Sequence, residues 1–281
     1  MRTILEKTTR LLELLGHEEG PFGVLYSDIK PEGGFGPKPG EIFSREREAA
    51  GQIDWKKAFG NFSCILGNIW LARKKRAAAW LSLEECGCMG GGFYAGLYSP
   101  YLEMVVSYVS TGVPAAHLEG EHYMPSPECM RHFLDDTAPP PAQGRYCVIK
   151  PLEQFDRELP LVVTFFVRPE TLGGLHSLAC FTTGDHQTVV SPFSAACGSI
   201  LAWPLVFQAR GMERAVLGGF DLSARKFMKT DELLFSVPLP LYRKMLDAME
   251  DSALTRHTWE GVRKKTRRSM RAWGEAPQEG R

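Results

Sequence analysis

The spacing of apolar residues along the chain distinguishes predicted helices from predicted strands. Residues 3–15 alternate apolar and charged positions at the spacing of one helix face, which predicts an amphipathic opening helix. Residues 161–167 form an uninterrupted β-rich run between prolines, which predicts a strand buried on both faces. Further strands are predicted at 22–26, 77–83, 104–110, 145–149, 187–190, 215–218 and 232–237, and further helices at 55–76, 127–134 and 240–249. The sequence therefore predicts an α/β or α+β fold, a mixed sheet with flanking helices.

Glycine and proline positions suggest how these elements are organised. The segment 31–40 is rich in both residues and predicts a long surface loop. We expect residues 1–259 to form a single globular domain. Residues 260–281 form a basic C-terminal tail, in which we expect a helix that frays into disorder at 274–281.

An internal resemblance divides the domain into two halves, 12–150 and 151–255. Each half has the order strand ending in proline, helix, strand and Cys-Gly turn, with Cys86-Gly87 in the first and Cys197-Gly198 in the second. Similar orders also arise by accident in α/β chains. If the repeat is real, the two Cys-Gly turns would be related by a pseudo-twofold axis and would face each other.

Composition narrows the classes of function. With 33 basic and 33 acidic residues among 281, the chain lacks the general excess of positive charge that nucleic-acid binding favours. The absence of a long apolar run predicts no membrane span, and the absence of an export signal predicts a cytoplasmic protein. The odd number of cysteines, seven, favours free thiols, a metal site or a redox site over a disulfide framework.

Four cysteines are candidate metal ligands: Cys64, Cys86, Cys88 and Cys197. Cys86 and Cys88 belong to a glycine-rich turn that runs into a predicted helix, a setting that favours thiolates and bound anions. Four thiolates are the number that an iron–sulfur cluster or a tetrahedral zinc ion takes. A reactive thiol, or cysteines that only pack the core, are the other interpretations.

A second candidate site uses the same turn without a metal. The backbone N–H groups of Gly90, Gly91 and Gly92 could bind a small anion, with Arg225 contributing its guanidinium. The alternative role for Arg225 is a structural ion pair, for example with Asp221.

Together these segments resemble the domain of unknown function 169 family, uncharacterised prokaryotic proteins. The resemblance rests on the Cys64 segment, the turn at 86–97, the turn around Cys197 and above all the segment 220–226 (FDLSARK) leading to 234–238 (LFSVP). It covers about residues 11–259. Cys88 and the long loop after Pro31 depart from the family pattern, so either Cys86 or Cys88 could be the family cysteine. The resemblance supports one domain over most of the chain and implies no reaction.

The leading functional prediction is a cytoplasmic protein that binds a cysteine-ligated cofactor, an iron–sulfur cluster before zinc, with a redox or accessory role in prokaryotic metabolism. The alternative is a non-catalytic binding protein for a small anionic ligand. A third interpretation is an interaction module. Whether any reaction is catalysed, and with which redox partner or small molecule, does not follow from the residues. The leading prediction requires thiols from three distant segments to lie close together.

Overall fold

The structure, a computed structural model, describes residues 1–17, 19–114 and 117–273, without the side chain of Arg267. Its helices are α1 (Arg2–Leu15), α2 (Arg45–Ala49), α3 (Trp55–Gly60), α4 (Ile65–Lys75), α5 (Met89–Tyr94), α6 (Glu103–Val109), α7 (Pro127–Thr137), α8 (Pro169–Thr183), α9 (Trp203–Ala209), α10 (Leu239–Ala248) and α11 (His257–Ala272). A π-helix, Gly198–Ala202, runs directly into α9. None of the described helices is both long and apolar enough to cross a membrane.

A seven-stranded sheet lies at the centre of the fold, so the predicted mixed α/β class is confirmed. The strands are β1 (Phe22–Ser27), β2 (Ala79–Ser82), β3 (Gly112–Val113), β4 (Leu118–Glu119), β5 (Tyr146–Pro151), β6 (Val162–Val167), β7 (Val189–Val190), β8 (Ala215–Gly218) and β9 (Leu233–Pro238). The order in the large sheet is β2-β5-β1-β6-β9-β8-β7, and only β7 and β8 pair in parallel. Strands β3 and β4 form a separate hairpin.

Alternate residues of each central strand enter two apolar cores on opposite faces of the sheet. Phe166 contributes to one core and its neighbour Phe165 to the other, and all six residues of β6 are buried, as the proline-bounded run predicts. Helices α1, α8 and α10 cover one face. Helices α4 and α5 and the π-helix cover the other, which also holds Cys64, Cys86 and Cys197.

The strand order is symmetric about the β1–β6 pair. On one side of this pair, β1 is followed outward by β5 and then β2. On the other side, β6 is followed outward by β9 and then β8. Within each set of three strands, neighbouring strands pair antiparallel. The helix before β2 is α4, which Cys64 precedes, and the helix before β8 follows Cys197. The topology therefore relates Cys197 to Cys64, and not to Cys86 as the comparison of Cys-Gly turns suggested.

The helix predicted over 55–76 is interrupted. Helix α3 ends at Gly60 and α4 begins at Ile65, so Cys64 lies at a helix start and not on a helix face. The backbone N–H of Ser63 donates to the carbonyl of Gly87 at 2.8 Å, which takes residue 63 out of a continuous helix. The apolar spacing does not show this break because the bond joins distant segments.

The strand predicted at 104–110 is wrong, since this segment is helix α6. Its β-branched residues favoured a strand. In the structure the carboxylate of Glu48 accepts hydrogen bonds from the backbone N–H groups of Glu103 and Met104 at 2.9 and 2.8 Å. Glu48 therefore caps the helix from a distant helix, α2, and tertiary structure outweighs local propensity.

The basic tail begins as the helix α11. The Trp259 indole N–H and the Arg263 guanidinium both donate to the carbonyl of Leu14, at 2.8 and 3.2 Å, and so attach the start of α11 to α1. Residues 274–281, for which we predicted fraying, lie outside the described residues.

Candidate thiol site at three helix starts

Three of the four predicted cysteines each stand at the start of a helix. Cys64 is the N-cap of α4, Cys88 is the N-cap of α5, and Cys197 is the N-cap of the π-helix. The sulfur of Cys88 accepts a hydrogen bond from the Gly91 N–H at 3.3 Å. The unpaired N–H groups of a first helical turn favour negative charge, which suits a thiolate.

Backbone hydrogen bonding places Cys64 beside Cys88. The residue before Cys64, Ser63, donates its backbone N–H to the carbonyl of Gly87, the residue before Cys88. A Cβ on Gly87 would lie 2.6 Å from Cβ of Ser63, so the two segments are in contact. Only glycine fits at this position of the turn.

A matching contact lies in the second half of the molecule. The residue before Cys197, Ala196, donates its backbone N–H to the carboxylate of Asp221 at 2.6 Å. Asp221 lies in the loop after β8, as Cys88 lies in the loop after β2. The pair Cys197 and Asp221 is thus the topological counterpart of the pair Cys64 and Cys88.

Helix α5, which Cys88 precedes, lies against the residues that follow Cys64 and Cys197. A Cβ on Gly91 would lie 3.4 Å from Cγ2 of Ile65, the first residue of α4. A Cβ on Gly198, the first residue of the π-helix, would lie 3.3 Å from Cε1 of Tyr94 at the other end of α5. The starts of α4 and the π-helix therefore both lie against α5.

The pKa values of the three thiols depend on one another's charge. Burial raises the pKa of Cys88, and negative charge on Cys64 raises it further. Burial raises the pKa of Cys197 well above its ordinary value, as does negative charge on Cys88, Cys64 and Asp221. Burial also raises the pKa of Cys64, although the N–H groups of Gly67 and Leu66 oppose this shift. Thiols from three distant segments thus lie within electrostatic range of one another.

The expectation that the glycine-rich turn lowers the pKa of its thiols is wrong. Burial outweighs the backbone N–H groups, and the thiols are protonated at neutral pH. This argues against a reactive thiolate in the structure as it stands.

Cys86 lies behind this group, on the core side. It is 2% exposed, its sulfur donates to the carbonyl of Cys88 at 3.1 Å, and burial raises its pKa to about 11. A Cβ on Gly92 would lie 2.8 Å from this sulfur. Cys86 raises the pKa of Cys88 and that of buried Cys147, which burial raises to about 12, but not the pKa values of Cys64 and Cys197. Cys86 therefore lies next to Cys88 but apart from Cys64 and Cys197. We call Cys64, Cys88, Cys197 and Asp221 the thiol site.

The anion site predicted at Gly90, Gly91, Gly92 and Arg225 has its donors engaged elsewhere. The N–H of Gly91 is bonded to the Cys88 sulfur, and the N–H of Gly92 donates to the Cys88 carbonyl at 2.9 Å. The Arg225 guanidinium donates to four backbone carbonyls, those of residues 219, 229, 230 and 232, at 2.7 to 3.1 Å. These bonds do not go to Asp221, and they leave the guanidinium directed at the protein backbone instead of at a bound anion.

Arg225 instead organises the loop that carries Asp221. Its four bonds close residues 219–232 into a compact unit, within which Asp221 also accepts from Ser223 and from the N–H of Ala224, at 2.7 and 2.8 Å. The end of this loop is joined to α4 by an ion pair between Arg73 and Glu232, at 2.9 Å. The loop is thereby fixed relative to the helix that Cys64 precedes.

Asp221 is the member of the site that sequence reasoning missed. The sequence suggested Asp221 only as an ion-pair partner of Arg225. A signal was present, because Asp221 lies in the segment 220–226 on which the family resemblance mainly rests. Its closeness to the thiols depends on the symmetric strand order, which the sequence alone does not specify.

A model of a known protein family matches most of the chain. The family model of domain of unknown function 169 (DUF169), described as an uncharacterised ArCR family, matches residues 10–248. The chain belongs to the DUF169 family. No curated protein and no solved structure matches it. The DUF169 match includes the whole thiol site and ends before α11.

Proposed function

We propose that this DUF169 protein binds a cysteine-ligated metal cofactor, an iron–sulfur cluster in the first instance, at the thiol site. The observation that carries the proposal is the position of Cys64, Cys88 and Cys197 at the starts of α4, α5 and the π-helix, with the first residues of α4 and the π-helix both in contact with α5. Thiolates are the ligands that iron–sulfur clusters and structural zinc ions prefer. The role would be redox or accessory. Asp221 already accepts three hydrogen bonds and would have to give one up to act as an oxygen ligand.

A buried, unpaired donor supports the presence of a cofactor beside α4. Asn68 lies four residues after Cys64, so the two share one side of the helix start. The side chain of Asn68 is 8% exposed, and its Nδ2 has no hydrogen-bond partner among the described residues. Buried donors normally find an acceptor. A cluster sulfide or another cofactor acceptor next to Cys64 would supply one.

The residues fit such a cofactor by their chemistry, since thiolates are its preferred ligands. In the described part of the chain no three His, Cys, Asp or Glu side chains are already arranged around a metal position. Binding would therefore turn the three thiol groups towards one another and remove their protons. The backbone N–H groups of Leu66, Gly67, Gly91 and Gly198 would then stabilise the thiolates.

The test is the visible spectrum and elemental analysis of anaerobically purified protein. Bound iron with equivalent sulfide, and a brown colour from thiolate-to-iron absorption, would support the iron–sulfur proposal. Stoichiometric zinc in colourless protein would support a thiolate metal site but exclude the cluster. Protein that contains neither metal, and takes up neither during anaerobic reconstitution, would contradict the proposal.

A further inference from the structure

The C-terminal helix α11 has a charge distribution unlike the rest of the molecule. The chain as a whole has equal numbers of basic and acidic residues. Within α11 there is one acidic residue, Glu260, and six basic residues: Arg263, Lys264, Lys265, Arg267, Arg268 and Arg271. The helix lies outside the segment matched by the DUF169 model. Positive charge is therefore concentrated on α11, which lies outside the residues that the DUF169 model matches.

The basic and apolar residues occupy different sides of α11. At about 100° per residue, Trp259, Val262, Met270 and Trp273 fall on one stripe, and the basic residues cover most of the remaining circumference. Val262 is 47% exposed and Trp273 is 80% exposed. An amphipathic helix of this kind normally buries its apolar stripe.

Among the described residues, α1 and α8 cover the start of the stripe. The Trp259 indole is bonded to α1, and its ring lies about 3.1 Å from where a Cβ on Gly174 of α8 would be. Lys264, Lys265 and Arg268 are exposed, and no carboxylate that the structure describes forms a salt bridge with them. Beyond its first turns, α11 thus presents apolar and cationic side chains together.

We propose that α11 binds the surface of an anionic lipid membrane and lies flat in the headgroup region. The exposed lysines and arginine would neutralise lipid phosphates, and Val262 and Trp273 would insert among the headgroups, where tryptophan is favoured. A nucleic acid would use the same cations, but it would give no role to an apolar stripe that ends in an exposed tryptophan. The attachment at Trp259 and Arg263 holds the body of the protein next to this surface.

The experiment is co-sedimentation of the full chain with vesicles of phosphatidylglycerol and phosphatidylcholine, compared with vesicles of phosphatidylcholine alone. We expect binding only to the anionic vesicles, weakened by salt. Replacing Lys264, Lys265 and Arg268 with Gln should lower the partition coefficient by about fivefold per charge, or about a hundredfold in total. The substitution Trp273→Ala should also weaken binding, because it removes apolar contact with the lipid.

A matched variant tests whether the location of the charges matters. Lys38, Lys56 and Lys75 are exposed on other elements, and their replacement with Gln removes the same charge. Equal loss of binding in this control, or no binding of the wild type to anionic vesicles, would overturn the proposal. Tighter α11-dependent binding to mixed-sequence RNA or duplex DNA would overturn it in favour of nucleic acid. Self-association that Trp273→Ala abolishes would identify a second copy as the partner.

Discussion

At the scale of the residue, burial is the main influence on the thiols of this protein. Cys64, Cys88 and Cys197 stand at helix starts, where backbone N–H groups favour negative charge, yet their pKa values are raised because burial outweighs that effect. Cys129, in contrast, is exposed on α7. Sequence context gave the wrong sign for the acidity of these thiols, because it does not show how deeply a turn is buried.

This difference predicts an order of chemical labelling. At neutral pH, iodoacetamide should modify Cys129 well before Cys64, Cys88 or Cys197, because the latter are half-buried or buried and their pKa values are raised. Peptide mass spectrometry over a time course measures the order, and Cys129→Ser should remove the fast phase. Rapid labelling of Cys197 would show that its thiol is accessible and ionised, contrary to the structure.

Arg225 shows that a residue in a family motif can be structural. Its guanidinium satisfies four backbone carbonyls of the loop 219–232, so Arg225→Ala should lower the free energy of unfolding by about 3 kcal/mol. Urea unfolding measures this change. Arg243→Ala, an exposed arginine on α10, is the control and should change stability by about 0.5 kcal/mol or less. Equal effects of the two substitutions would contradict this role.

At the scale of the element, α5 depends on close packing at its glycines. A Cβ at position 92 would lie 2.8 Å from the Cys86 sulfur and 3.0 Å from Tyr98, whereas one at position 90 would meet nothing nearer than Tyr94 at 3.9 Å. Close packing against the core therefore requires glycine at position 92, independently of the anion binding that we predicted for the N–H groups of α5.

Two glycine substitutions in α5 separate these roles. Gly92→Ala should destabilise the protein by about 2 kcal/mol through overpacking. Gly90→Ala should be neutral or stabilising by up to about 1 kcal/mol, because alanine favours the helix. Thermal unfolding of both variants measures the difference. A Gly92→Ala protein as stable as the wild type would show that α5 packs less closely than the structure has it.

Two errors of the sequence-based predictions share one physical cause. The spacing of apolar residues located most strands and helices, because each element buries one face or two. It did not find the break before Cys64 or the helix α6, since Gly87 and Glu48 determine these through hydrogen bonds from distant segments. The packing of α5 between the starts of α4 and the π-helix was beyond prediction for the same reason.

At the scale of the whole molecule, the two halves of the sheet bring the thiol site together. Because of the symmetric strand order, the loops after β2 and β8 lie on one face of the sheet. The first residues of α4, which precedes β2, and of the π-helix, which precedes β8, lie on the same face. The Arg73–Glu232 ion pair joins the two halves there, with Arg73 also bonded to Glu19. The sequence suggested two halves, but it matched the wrong cysteines because it lacked the strand order.

This ion pair gives the protein a predictable response to acid. Burial alone would raise the pKa of Glu232, but hydrogen bonds and the charge of Arg73 lower it to about 2 from an ordinary value of 4.5. A lowered pKa in the folded state stabilises the protein above the ordinary pKa, and this contribution is lost as the pH falls from 4.5 to about 2.

The substitution Glu232→Gln isolates that contribution. At neutral pH it should cost about 3 kcal/mol, because it leaves a buried arginine with one partner fewer. The stability difference from the wild type should shrink as the pH falls towards about 2. Urea unfolding across this range measures it, and a difference that is independent of pH would contradict the assignment.

The central claim is that thiols from three distant segments bind one cofactor. Its most direct test is the amount of metal bound per chain in anaerobically purified Cys197→Ser protein, compared with the Cys147→Ser variant, in which another buried cysteine is changed. The account predicts that Cys197→Ser loses the metal of the wild type while Cys147→Ser keeps it. Equal metal content in the two folded variants would show that Cys197 takes no part and would contradict the claim.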